Sequence, residues 1–325
     1  MSYTPLFPIL NRFIMKRFVS KTLTILFLFT MVNLILLLLI PIDKNAYVCE
    51  YNHKVELMKT TQQPRIVFIG GSNTAFGIDS KTIADSLHCN VVNFGFHAGL
   101  GIVFPIENCL QYIKKGDVVV MQLEYGNFFG GENGEPETYP VFIKSTNWRY
   151  LHQLNINQWY NVVSGVPREN IKGIVRLLRY PLRKSFDTPT NCTSFKYLKS
   201  GFNQYGDEVS HLNYPPKKIH FSGECEKRTV NKEFMEWFND MIIKYEQAGA
   251  SVILLPPVCV KSYFNASYNE NISEALTAIR HPYLIPPHSM ALDDSCAFDT
   301  GWHMNKDGVC KNTINIIKAL KSHLH

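Results

Sequence analysis

The strongest candidate for chemistry in the sequence is Ser72, which lies in the segment IVFIGGSNTAFGIDS. Apolar and β-branched residues precede it, and this pattern predicts a buried strand that ends at two glycines. Gly70 and Gly71 permit a tight turn that would lift the serine hydroxyl out of the sheet, and the helix predicted after the turn would offer backbone N–H groups to a developing oxyanion. We expect a nucleophile here. The alternative interpretation is an ordinary Gly-Gly-Ser loop.

Two further segments carry residue types that could complete a site. Asp299 and His303 lie four positions apart in CAFDTGWHMNKDGVCKNT, just before the last predicted helix. The alternative for this pair is a turn aspartate and a surface histidine. Asn93, Gly95 and Gly99 occur in NFGFHAGLG, where a glycine needed only for packing is the alternative.

The elements that must position these residues alternate between strands and helices, which predicts a parallel sheet. The predicted strands are Arg65 to Ile69, Val91 to Phe94, Asp117 to Leu123 and Ser251 to Leu255, and the predicted helices are Ile78 to Leu87, Ile102 to Ile113, about 230 to 247, around 270 to 280, and 307 to 322. In such a sheet the candidate segments can all meet at the carboxyl edge of the strands.

Taken in chain order, these segments resemble the sequence blocks of the SGNH (GDSL-type) hydrolases. The strand and glycines before Ser72 resemble block I, with Gly71 in place of the family's aspartate. The resemblance implies that Gly95, at the glycine of block II, donates its backbone N–H to the oxyanion. Block III of the family reads Gly-x-Asn-Asp where this chain has LEYGN, so Asn127 is the candidate side-chain donor and a loop asparagine is the alternative.

The segment with Asp299 and His303 resembles block V of the same family, in which the aspartate precedes the histidine by three positions instead of four. The resemblance implies that His303 is the general base toward Ser72, while Asp299 fixes its tautomer and stabilises the imidazolium. The longer spacing, in the pattern Asp-Thr-x-x-His-x-Asn-x-x-Gly, is similar to a membrane-tethered branch, the DltD-type envelope acyl-transfer proteins. The Gly-Gly-Ser-Asn turn is similar to that branch too.

The resemblance implies a three-layer, flavodoxin-like α/β fold and a serine esterase or O-acyltransferase that acts on cell-envelope glycans or glycoconjugates without a cofactor or a metal. The substrate would be an acylated glycan or another acyl ester, and a polytopic membrane acyl-transfer partner is compatible with that function. The alternative is a non-catalytic SGNH-fold protein of envelope or polysaccharide assembly. A metal hydrolase is disfavoured, because the eleven histidines include no His-Glu-x-x-His motif and no His/Asp cluster.

An uncharged apolar stretch from Thr22 to Ile40 is long enough to cross a bilayer, and we place the span at residues 22–42. No small-residue cleavage site follows it, which indicates a retained anchor and not a secretory signal. Basic residues concentrate in residues 1–21, which predicts a cytoplasmic tail and an extracytoplasmic catalytic domain on the cell (inner) membrane. A buried core helix is the alternative.

The rest of the chain is interpreted as a linker over residues 43–63 and an SGNH-like domain over 64–325. Within that domain, residues 126–228 are rich in Gly, Pro, Asn, Tyr and basic residues and are interpreted as an insertion that sets substrate choice. The stretch Ile171 to Arg183 has the spacing of a basic amphipathic helix. It could lie on an anionic membrane surface, line an acidic substrate groove, or be a solvated helix packed on the core.

Charge and cysteine spacing exclude further kinds of partner and site. The formal charge of +6 is modest, and no basic run is interleaved with aromatic residues, so nucleic acid is not an expected partner. None of the eight cysteines shows a C-x-x-C spacing, which argues against a zinc ribbon or a thioredoxin motif. Some cysteines could pair in an oxidising compartment, and small buried apolar residues are the alternative.

Overall fold

The computed structural model of the protein describes residues 7–186, 195–217, 219, 229–267 and 270–324. These residues form an α/β structure with a parallel sheet, preceded by one long apolar helix. In chain order the elements are α1 (Phe7–Leu39), α2 (Tyr51–Thr60), β1 (Arg65–Gly70), α3 (Ser72–Ala75), α4 (Ser80–Leu87), β2 (Asn90–Asn93), α5 (Val103–Leu110), β3 (Val118–Gln122), α6 (Tyr139–Ser145), α7 (Ile156–Phe186), α8 (Lys232–Gln247), β4 (Ser251–Leu254), β5 (Cys259–Val260), α9 (Lys261–Ser267), α10 (Glu270–Ala278), β6 (Ala291–Leu292) and α11 (Lys306–Leu324).

The main sheet has four parallel strands in the order β2-β1-β3-β4. An isolated parallel bridge between Leu254 and Tyr283 adds one further pairing beside β4. The connections reverse direction between β1 and β3, so the carboxyl ends of these two strands are the topological switch point at which open α/β sheets commonly bind ligands. The prediction of an α/β protein with a parallel sheet is confirmed. The short strands β5 and β6 form a second, two-stranded parallel sheet.

Helices cover both faces of the main sheet, because alternate side chains of each strand point to opposite sides. Ile66 and Phe68 share one buried cluster with residues of α4 and α11. Val67 and Ile69 share another with residues of α2, α5 and α8. The strands are therefore buried on both faces, as the continuous apolar runs of their sequences predict.

A buried ion pair fixes the amino-terminal ends of β1 and β3. The guanidinium of Arg65 donates from Nε and Nη2 to the carboxylate of Asp117 at 2.9 and 2.7 Å, and both side chains are fully buried. The remaining donors of Arg65 reach the carbonyl oxygens of Met58 at 2.6 Å and Tyr112 at 2.8 Å. Because the pair is at the end of the sheet away from Ser72, it stabilises the fold without touching the candidate site.

Helix α1 is long and apolar enough to span a membrane over Ile14–Leu39, which covers 26 residues. Almost all of this stretch is exposed, with a buried position only near its carboxyl end, at Leu37. The apolar span predicted from the sequence, Thr22 to Ile40, lies in the second half of this helix.

Residues 43–63, interpreted from the sequence as a linker, are partly helical. They include helix α2, whose residues Tyr51, Val55 and Met58 are buried in the core. The ammonium of Lys54 is also buried and donates to the carbonyl oxygen of Asn93 at 2.8 Å. Burial lowers the pKa of Lys54 to about 8, because it penalises the charged form.

The described part of residues 126–228 is integral to the domain. Helices α6 and α7 pack on each other, and the helix predicted over Ile171 to Arg183 is only the second half of the longer α7. A loop further along places the buried carboxylate of Asp207 in the core, where it accepts hydrogen bonds from Ser80 and Asn93. A segment interpreted as an insertion thus supplies part of the core's polar network.

The described cysteines are unpaired, and four of them, Cys49, Cys109, Cys259 and Cys296, are buried. This fits the interpretation of most cysteines as small buried residues. Cys192 and Cys225 lie outside the described residues.

Candidate active site

Ser72 lies at the carboxyl end of β1 and is the first residue of the short helix α3. The turn before it leaves no space for a side chain, because a Cβ on Gly71 would fall 2.6 Å from the Oε1 atom of Glu124. Gly71 therefore makes room for a carboxylate that comes from the residue two positions after β3.

That carboxylate is the nearest polar partner of the candidate nucleophile. The hydroxyl of Ser72 donates to Oε1 of Glu124 at 3.3 Å, and the backbone N–H of Asn73 donates to the same atom at 3.2 Å. Burial raises the pKa of Glu124, and the hydrogen bond from Asn73 and the charge of His303 only partly offset it. Glu124 is not among the site residues predicted from the sequence.

Asp299 and His303 form a hydrogen-bonded pair, with 2.8 Å between Oδ1 of the aspartate and Nδ1 of the histidine. Both side chains are more than nine-tenths buried. Because the carboxylate accepts the proton on Nδ1, the imidazole keeps Nε2 free to take a proton, which is the tautomer that a general base requires.

The loop between the two residues is shaped to hold this pair. The backbone N–H of His303 donates to Oγ1 of Thr300 at 3.1 Å, and its carbonyl accepts from the N–H of Phe298 at 2.8 Å. The imidazole also stacks on Phe76, with 4.2 Å between ring centroids and 12° between the planes. The four-residue spacing is thus compatible with an Asp–His hydrogen bond.

Tyr197 is a further partner of the pair that the sequence did not reveal. Its hydroxyl donates to Oδ2 of Asp299 at 2.6 Å and lies 3.3 Å from Nδ1 of His303. Burial acts to raise the pKa of Asp299, but the hydrogen bonds from His303 and Tyr197 outweigh it, so the net shift is downward. The aspartate therefore stays ionised at neutral pH and can stabilise an imidazolium.

The structure brings the predicted residues to one edge of the sheet without completing a triad. Within the described residues, the hydroxyl of Ser72 hydrogen-bonds to Glu124 and not to His303. The imidazole of His303 instead stacks on Phe76, four residues beyond Ser72. Catalysis by a triad would require the Ser72 hydroxyl to turn from Glu124 to the imidazole.

The two residues proposed for the oxyanion both make local hydrogen bonds. The backbone N–H of Gly95 donates to Oδ1 of Asn93 at 2.9 Å, and a Cβ on Gly95 would fall 2.7 Å from the backbone nitrogen of Ala75. The side-chain amide of Asn127 donates to the carbonyl oxygen of Glu124 at 3.0 Å. Their role as oxyanion donors stays a prediction, and each also has a structural task beside the site.

His97, in the segment with Gly95, is another residue of this region. Its Nδ1 accepts the backbone N–H of Gly99 at 2.8 Å, so the neutral ring carries its proton on Nε2. Burial, together with the charge of His303, lowers the pKa of His97 to about 4. The ring contacts Tyr47 edge-on, and the Tyr47 hydroxyl is buried without a hydrogen-bond partner among the described residues.

The fold and site define an α/β protein with a parallel sheet, an amino-terminal helix able to span a membrane, and an Asp–His pair in the region of a half-buried turn serine. No family model, curated protein or solved structure matches the chain. Among the described residues, no three His, Cys, Asp or Glu side chains are grouped to hold a metal ion.

Proposed function

We propose that the chain is a membrane-anchored SGNH-type serine acyl-ester hydrolase or O-acyltransferase that acts on cell-envelope glycans or glycoconjugates. The observation that carries this proposal is the hydrogen bond between Asp299 and His303, at the sheet edge that also holds Ser72. The strand order β2-β1-β3-β4 supports an SGNH-type arrangement, because it equals the first four positions of a flavodoxin-like sheet.

In the first half-reaction, Oγ of Ser72 attacks the acyl carbonyl carbon while Nε2 of His303 takes the hydroxyl proton. The ester C–O bond then breaks, the imidazolium returns that proton to the leaving alcohol, and the acyl group stays on Ser72 as an ester. In the second half-reaction, the oxygen of a water or a sugar hydroxyl attacks the acyl-serine while its proton goes to His303. The ester bond to Oγ of Ser72 then breaks, and the imidazolium returns the proton to that oxygen. Hydrolysis and transfer differ only in this acceptor.

Three features support a glycan acceptor or donor near a membrane. The anchor α1 holds the domain at the bilayer, where lipid-linked glycans and membrane acyl-transfer partners are found. Tyr197 is 39% exposed as a residue while its hydroxyl donates to Asp299, so its side chain could contact a sugar beside the Asp–His pair. The resemblance to tethered acyl-transfer proteins points to the same substrate class.

The proposed topology places residues 1–21 in the cytoplasm and the catalytic domain outside the inner membrane. Fusions of alkaline phosphatase and of green fluorescent protein to the carboxyl terminus test it. Activity of the phosphatase fusion and a dark fluorescent fusion are expected, and the reverse pattern would contradict the topology.

A second candidate function is that of a non-catalytic envelope assembly protein. The observation that favours it is the carboxylate of Glu124, which binds the Ser72 hydroxyl and the Asn73 N–H. A negative charge here would oppose a developing oxyanion, unless Glu124 is protonated or moves when substrate binds.

The test compares envelope glycan O-acylation in the parent strain, a deletion strain and a strain with Ser72→Ala. Ser273→Ala, at an exposed serine on α10, is the matched control. Reduced acylation in both the deletion and the Ser72→Ala strain supports transfer, and increased acylation in both supports an esterase. A deletion phenotype that Ser72→Ala does not reproduce would favour the assembly function.

A further inference from the structure

Helix α7 has an apolar stripe that the rest of the domain does not cover. Its members recur at intervals of three, four or eight residues, which places them on one side of a helix. They are between 37% and 80% exposed: Ile156, Tyr160, Val163, Ile171, Ile174 and Leu178. From the first to the last, the stripe extends about 33 Å along the helix axis. An exposed apolar surface of this length indicates an interaction site.

The opposite side of α7 is packed. Asn161 donates to the carbonyl oxygens of Asn133 and Gly134 at 3.1 and 3.0 Å, which ties the first half of the helix to the domain. Gly165 lies against Pro136, with no space for a side chain. The helix is therefore held in one rotational setting that keeps the stripe outward.

The second half of α7 packs against the carboxyl end of α1. The side-chain amide of Asn170 donates to the backbone and side-chain oxygens of Asn33 at 2.9 and 3.0 Å. Three residues on, a Cβ at Gly173 would fall 2.5 Å from Cγ2 of Ile40. A guanidinium nitrogen of Arg176 donates to the carbonyl oxygen of Pro41 at 2.8 Å.

These contacts set the height of α7 relative to a membrane. Asn33 lies six residues before the end of the helix that can span the bilayer, or about 9 Å below that end. A polar side chain at this depth is costly unless it is paired, and Asn170 pairs with it. The middle of α7 must then lie at the level of the bilayer interface.

Charge on α7 is placed as an interfacial helix requires. Lys172 follows Ile171 and Arg179 follows Leu178, so each exposed cation lies about 100° around the helix from the stripe. Basic groups beside an apolar stripe are typical of helices that lie in the surface of an anionic membrane.

We propose that α7 is an in-plane membrane-surface helix whose exposed stripe inserts among the lipids of the bilayer that α1 spans, with Lys172 and Arg179 at anionic headgroups. The stripe is continuous with the lipid-facing surface of α1 through the Asn33–Asn170 contact. The domain is thereby held at two places and in a fixed orientation on the membrane. This inference depends on α1 spanning the bilayer and not on the proposed chemistry.

The test is photocrosslinking of the full chain in its native membrane. Benzoylphenylalanine is introduced by amber suppression in place of Ile171 or Leu178, and in place of Ile243 as the matched control, since this exposed isoleucine lies on α8. After irradiation, the purified protein is digested, and mass spectrometry identifies what is crosslinked to the peptides that carry benzoylphenylalanine. Circular dichroism and detergent-solubilised yield check that each variant folds.

Phospholipid adducts at residues 171 and 178, and none above background at 243, are the expected result. A discrete protein adduct at residues 171 and 178 would show instead that a partner helix covers the stripe. Absence of any adduct at both positions in folded variants would show that the stripe faces water. Either of these two results overturns the proposal, whatever the outcome for the chemistry of Ser72.

Discussion

Replacement of Asp299 by asparagine probes how the catalytic pair is oriented. The carboxylate accepts two hydrogen bonds, one from His303 on Oδ1 and one from Tyr197 on Oδ2. An asparagine has only one acceptor oxygen for these two donors. If Tyr197 takes that oxygen, the amide N–H₂ faces Nδ1 of His303, and the imidazole proton must move to Nε2. In that tautomer the ring cannot accept a proton from Ser72.

The expected fall in activity is large because Asp299→Asn removes both the required tautomer of His303 and the negative charge beside it. We expect Asp299→Asn to lower kcat/KM by roughly 10³ to 10⁴, about 4 to 5.5 kcal/mol of transition-state stabilisation. Tyr197→Phe should cost at most about tenfold, because the residue is 39% exposed and water can replace its hydroxyl at Asp299. In the double variant Asp299→Asn, Tyr197→Phe, the asparagine oxygen is free to turn toward Nδ1–H of His303. We therefore expect the double variant to be more active than Asp299→Asn alone.

The assay is hydrolysis of a chromogenic acetyl ester by the full chain in detergent or nanodiscs, with thermal unfolding as the folding control. A double-variant cycle gives the coupling between the two positions. If Asp299→Asn stays within about tenfold of the parent, the aspartate does not act through His303. If the double variant is no more active than Asp299→Asn, Tyr197 does not set the orientation of the amide at position 299.

Three further predictions concern stability. Because burial raises the pKa of Glu124 above its ordinary 4.5, the folded protein keeps a proton that the unfolded chain releases, and stability falls as pH rises through this window. Glu124→Gln should therefore have a higher Tm than the parent at pH 7.5 and the same Tm as the parent near pH 3. An unchanged Tm at pH 7.5 would contradict this. The pKa of His97 is lowered from 6.5 to about 4, so between these pH values the ring stays neutral in the folded protein and is protonated in the unfolded chain. The free energy of unfolding therefore falls as pH falls through this window, and the total loss is about 3 kcal/mol once pH is below 4. His97→Asn, which can still accept the Gly99 N–H, should lose less stability than the parent between pH 6.5 and 4 in urea unfolding, and an equal loss would refute the assignment. Arg65→Leu should destabilise the domain by about 3 to 5 kcal/mol because it leaves the buried Asp117 unpaired, and urea unfolding that shows less than about 1 kcal/mol would contradict a buried pair.

The sequence predicted the central strands well, because a strand buried on both faces is a continuous apolar run, which can be recognised from neighbouring residues alone. The strand predicted over Arg65 to Ile69 is β1, which runs from Arg65 to Gly70. The pair of Asp299 and His303 was also visible, because both partners lie in one short loop.

The remaining parts depend on contacts between distant segments. Glu124 is 52 positions from Ser72 and Tyr197 is 102 positions from Asp299, so nothing local marks either residue as a partner. Helix α2 was interpreted as a linker because its polar residues mask the buried face, and one of them, Lys54, is itself buried. Such a lysine is explained only by carbonyl oxygens that the fold brings to it.

The central claim is that Ser72 is a nucleophile activated by His303. The most direct measurement treats the full chain with a fluorophosphonate probe, in which the serine oxygen forms a bond to phosphorus, fluoride leaves, and the histidine takes the proton. Tandem mass spectrometry then locates the adduct. We expect an adduct on Ser72 that is absent in Ser72→Ala, strongly reduced in His303→Gln and unchanged in Ser273→Ala. A folded parent with no adduct on Ser72, or equal labelling of Ser72 in His303→Gln, would contradict it.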